Sequence, residues 1–213
     1  MSRWTIPVWM NKESVKANSR GILSDTEIAL FCQGDKPMID PFVPEQRGKP
    51  SYGLGSYGYD IRLGRKFLVP LGGMNAVLDP LNFPSHHFRE VIVPDIKVGN
   101  HIQGGYFDLA PHSMVLAESV EWFNMPDDVF GVCWGKSSYA RCGLLVNVTP
   151  LEASWKGRLT IELNNLSPLP IRLHVGQGIA QITFFRGRRP RRTYAEKEAG
   201  GLYQNQQGMT LPR

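Results

Sequence analysis

The stretch of residues 135–165, GKSSYARCGLLVNVTPLEASWKGRLTIELNN, contains side chains that could do chemistry. Residues 159–163 read Leu-Thr-Ile-Glu-Leu, and alternation with period two places Thr160 and Glu162 on the face opposite the three apolar residues. The simplest interpretation is that Glu162 faces water. If this face lines a pocket instead, partial desolvation would raise the pKa of the Glu162 carboxyl and make it a usable general base. The pattern alone leaves both interpretations open.

A cluster of cations and hydroxyls begins the same stretch. Lys136 and Arg141 supply positive charge, Ser137 and Ser138 supply hydroxyl donors, and Gly135 lets backbone N–H groups approach a ligand. These are groups that bind an oligophosphate. The spacing is not that of a Walker A motif, GxxxxGK[ST], and a solvated turn is the simpler alternative for the isolated pattern.

Metal-dependent and covalent chemistry have no recognisable motif in the sequence. The zinc-deaminase signature, H-x-E followed by P-C-x-x-C, is absent, and so is the GxSxG elbow. His86 and His87 are adjacent, so on a strand they would point to opposite faces. Cys32, Cys133 and Cys142 lack CxxC spacing and predict reduced, mostly buried thiols rather than disulfides or zinc ligands.

Composition indicates a globular, cytoplasmic protein. A chain of 213 residues with 42% hydrophobic and 20% charged residues is long enough for one domain with a real core. No apolar stretch approaches the roughly 20 residues that span a bilayer, and no cleavage site follows the apolar run from Thr5 to Met10. Five arginines in the segment FRGRRPRRTY account for the whole formal net charge of +5. The charge is therefore local, which argues against a nucleic-acid-binding face.

The elements that must position these residues are mostly short strands. Ser24 or Asp25 caps a predicted helix from Thr26 to Cys32, and Glu27 completes a capping box. The irregular region from Gly72 to Gly105 is predicted to form an arm with a few strands. Period-two segments between turn residues predict an all-β sandwich, barrel or jelly roll, with strands at Ser113–Val120, Val129–Trp134, Gly143–Thr149, Arg158–Asn164, Leu169–Leu173 and Ile179–Phe185.

Several segments together resemble one family. SYGLGSYGYDIRL, GKSSYARCGLLVNVTPLE, WKGRLTIELNN, LPIRLHVGQGIAQITFF and QNQQGMTLP occur here in the order typical of bacterial and phage dCTP deaminases of the dUTPase-like superfamily. The likeness runs from about residue 22 to the C-terminus, and GKSSYAR and the TIE strand are its most specific parts. It implies three parts: an N-terminal extension (residues 1–21), a dUTPase-like β domain (22–185) and a C-terminal segment that closes over the active site (186–213).

The resemblance implies a fold, an assembly and a reaction. The fold would be mainly β, a distorted jelly-roll or β-sandwich with a short N-terminal helix. The protein would be a cytoplasmic homotrimer, or act in the host cytoplasm if phage-encoded, with active sites at subunit interfaces. The enzyme would hydrolyse dCTP to dUTP and ammonia without zinc, in pyrimidine deoxynucleotide metabolism. Mg²⁺ would enter with the triphosphate and would need no protein side chain as a ligand.

The resemblance also implies a role for particular residues. Glu162 would be the general base that activates water, and Arg141 and Ser137 would help to hold that water and the cytosine. Lys136 and Ser138 would bind phosphate, and Thr160 and Ile161 would lie beside the pyrimidine through their backbone. The complete set of implied nucleotide contacts is Lys136, Ser137, Ser138, Tyr139, Ala140, Arg141, Thr160, Ile161, Glu162, Gln181, Tyr194 and Gln206.

The sequence is also compatible with other functions. A dUTPase, or a bifunctional deaminase and diphosphatase, would need a catalytic Asp, and none occurs between Thr149 and Trp155. A deaminase of dCMP or of a 5-modified dCTP would carry the same motifs, and a non-catalytic nucleotide-binding β module is a further alternative. The chain departs from the family at Leu202, where many members have a Lys. Lys197 or an arginine of residues 186–192 could replace that phosphate contact.

Overall fold

Antiparallel strands make up most of the regular secondary structure of the computed structural model, which describes residues 20–72, 77–98 and 101–212. The described residues contain two short α-helices, α1 (Asp25–Phe31) and α2 (Ser137–Ala140). Single 3-10 turns lie at Ser85–His87, Tyr194–Glu196 and Glu198–Gly200. The strands are β1 (Gly21–Ile22), β2 (Ile39–Asp40), β3 (Gly53–Gly55), β4 (Gly58–Pro70), β5 (Phe88–Ile92), β6 (Ile96–Val98), β7 (His101–Gln103), β8 (Tyr106–Leu109), β9 (Met114–Asn124), β10 (Val129–Gly135), β11 (Leu144–Asn147), β12 (Lys156–Asn165), β13 (Ile171–His174) and β14 (Gly178–Arg186).

The long strand β4 joins two sheets into one curled structure. Its first half pairs with β14, with Asp60 opposite Gln181, and β14 pairs in turn with β10 and β1. Its second half pairs with β9 and β5, and the register shifts between Leu63 and Phe67, where the strand passes from one sheet to the other. On the far side of β9 lie β12 and then β11. A strand shared by two sheets lets them curl around a common core.

The core fills the space between these sheets. Tyr59, Phe67, Phe123 and Phe184 are fully buried there. The predicted mainly β fold is therefore confirmed, since the sheets enclose one apolar interior and the helices are peripheral. No helix within the described part of the chain is long and apolar enough to cross a membrane.

The predicted N-terminal helix is confirmed within one residue. It runs from Asp25 to Phe31, with Ser24 as its N-cap. The backbone N–H of Ser24 donates to Glu27 Oε2 at 2.8 Å, which is one half of the predicted capping box. Residues 1–19 of the predicted N-terminal extension lie outside the described residues. Gly21, at its end, pairs with Arg186 in the sheet.

The six predicted strands are all present, with ends that shift by at most four residues. The largest difference is at β9, which continues to Asn124 because Phe123 and Trp122 pair with β2. The predicted arm also contains strands, since β5 pairs with β4 and β6 pairs with β7. Residues 73–76 and 99–100 of that arm lie outside the described part of the chain.

Candidate active site

Glu162 lies on the half-buried face of β12. Leu159, Ile161 and Leu163 alternate with it and enter the core, so the predicted division of the strand into two faces is correct. Burial raises the pKa of the Glu162 carboxyl, and hydrogen bonds from its own backbone and from Asn147 oppose that rise. The Asn147 contact, from Nδ2 to Oε2, is 3.3 Å long and therefore weak.

The face that carries Glu162 borders a cavity of about 1030 Å³. Thr160 and Glu162 form part of its floor, and Leu116 from β9 lies beside them. Phe83 and Phe88 from the arm give it an apolar side. This volume is at the upper end of the range for small-molecule sites, about 300–1,000 Å³. Of the two interpretations of Glu162, the structure favours the pocket over open water.

The C-terminal tail forms another wall of the cavity through Gln206. The backbone O of Gln206 accepts a hydrogen bond from Arg158 N at 2.8 Å. Its side-chain Nε2 donates to Arg158 O and to Thr160 Oγ1, both at 2.8 Å. Both hydrogens of the Gln206 side-chain amide are thus donated within the protein, and the side-chain oxygen Oε1 is left as an acceptor for a ligand. Gly157 permits this approach, because a Cβ at its φ of +150° would lie 2.9 Å from Gln206 O.

Tyr194 joins the tail to the same wall. Its hydroxyl accepts a hydrogen bond from Tyr203 N at 2.9 Å, and its backbone N donates to Ala153 O at 2.9 Å. Trp155 Nε1 donates to Tyr203 O at 2.9 Å and fixes the tail at a third point. Tyr194 and Gln206, predicted from the resemblance to lie on a closing segment, therefore both line the cavity that Glu162 borders.

The predicted phosphate-binding segment, residues 136–141, forms α2 and its flanks. Ser137, Ser138 and Arg141 are exposed. None of these six residues, all of them described, lines the cavity at Glu162. Within one chain the structure therefore does not bring Arg141 and Ser137 together with Glu162.

Lys136 and Gln181 do come together, and Asp60 joins them. The Asp60 carboxylate is buried and accepts a hydrogen bond from Lys136 Nζ at 2.6 Å and from Gln181 Nε2 at 3.3 Å. Gln46 Nε2 and Ser51 Oγ also donate to it, at 2.9 and 3.4 Å. A buried carboxylate with four donors holds its partners in place because breaking any contact leaves charge unsatisfied. Asp60 thus fixes the direction of Lys136.

Two of the remaining predicted contacts have side chains in the core. Ile161 is fully buried and pairs with Ala117, so only its backbone could meet a ligand. Tyr139 is also buried, and its hydroxyl accepts a hydrogen bond from His174 N at 3.1 Å. Ala140 is exposed on α2. Their assignment to nucleotide binding stays a prediction.

Sequence reasoning missed Asp60 and Asn147. Asp60 was visible as a carboxylate between Tyr59 and Ile61 in a strand pattern, and a charge in a strand buried on both faces is a signal for a partner. Asn147 carries no such signal. Its contact with Glu162 follows from the register of β11 on β12, where the two residues are directly opposite.

The described residues contain no group of three or more His, Cys, Asp and Glu side chains arranged to hold a metal ion. The charge of Glu162 acts on the thiol of Cys133. Burial first, and then the charge of Glu162, raise the Cys133 pKa to about 12. The thiol is therefore protonated at neutral pH and is a poor nucleophile.

Comparison with known proteins gives one consistent result. The model of the dCTP deaminase-like family matches residues 22–187. The dCTP deaminase of Campylobacter curvus is 45% identical over 196 residues, which are 91% of this chain and 98% of that protein. The dCTP deaminase of Campylobacter concisus is 47% identical over the same shares of both chains.

A solved structure has a similar fold. The crystal structure of 2'-deoxycytidine 5'-triphosphate deaminase from Agrobacterium tumefaciens superimposes with a TM-score of 0.58 at 20% sequence identity. The match covers 80% of this chain and 49% of that chain. At this identity the likeness concerns the fold, and it agrees with the curled β architecture described above.

The contacts of Gln206 predict how the tail is held. Gln206→Ala removes two side-chain hydrogen bonds, which together contribute about 1–3 kcal/mol. We expect faster amide hydrogen exchange across residues 204–210, measured by mass spectrometry, with unchanged exchange in β9 and β4. Gln207→Ala is the matched control, because the exposed Gln207 side chain contacts only Asn205 O within the tail. Equal exchange in the two variants would show that Gln206 does not hold the tail.

Proposed function

The chain belongs to the dCTP deaminase-like family, and we propose that it hydrolyses dCTP to dUTP and ammonia with Glu162 as the general base. The observation that supports this most directly is the position of Glu162. It is a half-buried carboxylate with a raised pKa, and it borders a cavity large enough for a nucleotide. The curated relatives that are 45% and 47% identical are themselves named dCTP deaminases.

The proposed reaction needs one carboxylate that moves protons in sequence. Glu162 takes a proton from water, and the hydroxide adds to C4 of cytosine while that proton passes to ring N3. Glu162 then takes the proton of the new C4 hydroxyl and gives it to the amino group. The C4–N bond breaks, ammonia leaves, and C4 becomes the carbonyl of uracil. A carboxyl with a pKa raised towards neutrality can both accept and donate in this way.

The surroundings of Glu162 suit this role. Among the described residues no cation forms an ion pair with it, so the carboxylate is not held in a permanently ionised state. Leu116 and the apolar residues of the arm, Phe83 and Phe88, line the cavity beside it. Apolar walls lower the local dielectric constant, which strengthens the interaction between the carboxylate and a bound water.

We propose that a second subunit completes the site. Ser137 and Arg141, which the family resemblance assigns to water and substrate, are exposed on α2 and do not line the cavity of their own chain. In a cyclic homotrimer the α2 segment of one subunit can face the cavity of the next, because such interfaces join two different patches. The separation of these residues within one chain is what a shared site requires.

Magnesium would be bound through the nucleotide. The carboxylates of Asp128 and Glu152 line the cavity, but Arg186 and Lys197 pair with them at 2.8 and 2.7 Å. The described cavity therefore offers no free pair of carboxylates, and phosphate oxygens are the ligands that fit a magnesium ion here. When bound, the ion would neutralise part of the triphosphate charge.

Replacement of Glu162 tests the proposed base. We expect Glu162→Gln to fold and to bind dCTP but to lower kcat by about 10²–10⁴-fold, because it removes the proton acceptor. The assay measures ammonia release and identifies the nucleotide product by chromatography. A deaminase gives dUTP, whereas dUMP with pyrophosphate would indicate diphosphatase activity. Glu90→Gln is the control, since Glu90 is an exposed carboxylate on β5 outside the cavity. Substantial residual turnover in Glu162→Gln would place the base elsewhere.

The raised pKa predicts the pH dependence. The base must be ionised, so kcat/KM falls as pH decreases through the Glu162 pKa, which burial lifts above the ordinary value of about 4.3. Asn147→Ala removes a donor that lowers this pKa, so the acid limb should move to higher pH. The measurement is kcat/KM for dCTP as a function of pH, for wild type and for Asn147→Ala. The ionisation of free dCTP is titrated separately, so that it can be told apart from that of the enzyme. An acid limb unaffected by Asn147→Ala would contradict the assignment.

A shared site predicts complementation between two inactive variants. Glu162→Gln and Arg141→Ala, co-expressed with different affinity tags and purified as mixed trimers, should recover up to about a third of wild-type activity, because each mixed cyclic trimer has one interface of its three with both residues intact. Each variant purified alone provides the baseline. Mixed oligomers without recovered activity would mean that Glu162 and Arg141 do not act across an interface.

A further inference from the structure

The arginine run after β14 divides into residues with different surroundings. Arg186 Nε donates to Asp128 at 2.8 Å, and Arg189 donates to Asp127 at 3.1 Å and also to Glu196. These two arginines hold the segment to the turn before β10 and to the 3-10 turn at residues 194–196. Their charges are therefore neutralised by neighbouring carboxylates.

Arg188 and Arg192 lack such partners and border the cavity. Both side chains line it, and both residues are exposed. Within the described part of the chain, neither guanidinium forms a hydrogen bond or an ion pair. Lys197 lines the same cavity, but its Nζ is held between both oxygens of Glu152, at 2.7 and 2.8 Å. Among the described residues that line the cavity, the positive charge without a carboxylate partner is therefore that of the Arg188 and Arg192 guanidinium groups.

Leu202 adds no charge to the cavity that Arg188 and Arg192 border. It lines that cavity with an apolar side chain. Two unpaired guanidinium groups in one cavity repel each other, and an anion that binds between them offsets this repulsion. Their planar, forked donors match phosphate oxygens, and the Glu162 carboxylate borders the same cavity.

We propose that Arg188 and Arg192 bind the triphosphate of the substrate and make the enzyme select a nucleoside triphosphate over a monophosphate. The inference rests on the proposed function for the identity of the nucleotide, whereas the requirement for an oligophosphate comes from the two guanidinium groups. Arg189 and Arg186 position the segment, and Arg191 takes no part in binding.

Charge reversal within the run tests this inference. Arg188→Glu and Arg192→Glu are compared with Arg191→Glu, which makes the same charge change at an exposed arginine that does not line the cavity. We expect each of the first two variants to raise KM for dCTP by at least about tenfold, as expected for the loss of a charge-assisted hydrogen bond. With saturating substrate, kcat should stay within about twofold of wild type, because the proton transfers at Glu162 are unchanged.

A neutral double variant tests whether a change in KM results from lost binding or from misfolding. Arg188→Gln/Arg192→Gln should keep the thermal unfolding midpoint of wild type and still lower the preference for dCTP over dCMP. Equal KM values in the Arg188, Arg192 and Arg191 variants would overturn the proposal, as would an unchanged preference for dCTP.

Binding of inorganic tripolyphosphate separates this inference from the proposed reaction. Calorimetry on the full-length protein needs no turnover, and we expect weaker binding to the Arg188→Glu and Arg192→Glu variants than to Arg191→Glu. If wild type fails to deaminate dCTP but binding follows this order, the proposed reaction is wrong and the phosphate site stands. If wild type deaminates dCTP and the three variants bind tripolyphosphate alike, the arginine proposal alone is wrong.

Discussion

Every backbone N–H and C=O of a buried strand needs a hydrogen-bond partner, and β12 meets this requirement with three different segments. Along one edge it pairs with β9 over most of its length. Along the other edge β11 covers only Glu162 to Asn165. The tail pairs with Gly157 and Arg158 beyond the end of β11. The candidate site lies where β11 ends and the tail begins, so the fold of the tail and the geometry at Glu162 depend on each other.

Two buried carboxylates, Asp60 and Glu121, differ in their surroundings from the half-buried Glu162. Lys136 pairs with Asp60, and Arg62 pairs with Glu121 at 2.7 Å. Each of these two carboxylates also accepts further hydrogen bonds. Removing a cation from such a pair would leave a buried charge, so these carboxylates have a structural role. Glu162 differs because, among the described residues, a hydrogen bond from its own backbone and a long contact from Asn147 oppose its desolvation, and no cation pairs with it. A carboxylate without a cation, beside a cavity, can change its protonation without loss of the fold.

Local features of the site were predictable from the sequence, and long-range contacts were not. Alternation along residues 159–163 separated the core face from the Glu162 face, and the capping residues located α1. The same pattern could not decide whether the second face meets water or a cavity, because the tail that closes it joins β12 from more than 40 residues away. The contact between Lys136 and Asp60, 76 residues apart, likewise follows from the pairing of β4 with β14 and of β14 with β10.

The arginine run shows why composition could locate charge without assigning its use. Residues 187–192 follow the end of β14 as irregular chain, so no period of two or 3.6 indicates which side chains share a face. Their surroundings depend on where acidic residues from other elements lie. Asp127 and Asp128, in the turn before β10, form ion pairs with Arg189 and Arg186. Arg188 and Arg192 line the cavity instead. A net charge that is local in sequence is thus divided in space, and only the part without carboxylate partners is available to an anionic ligand.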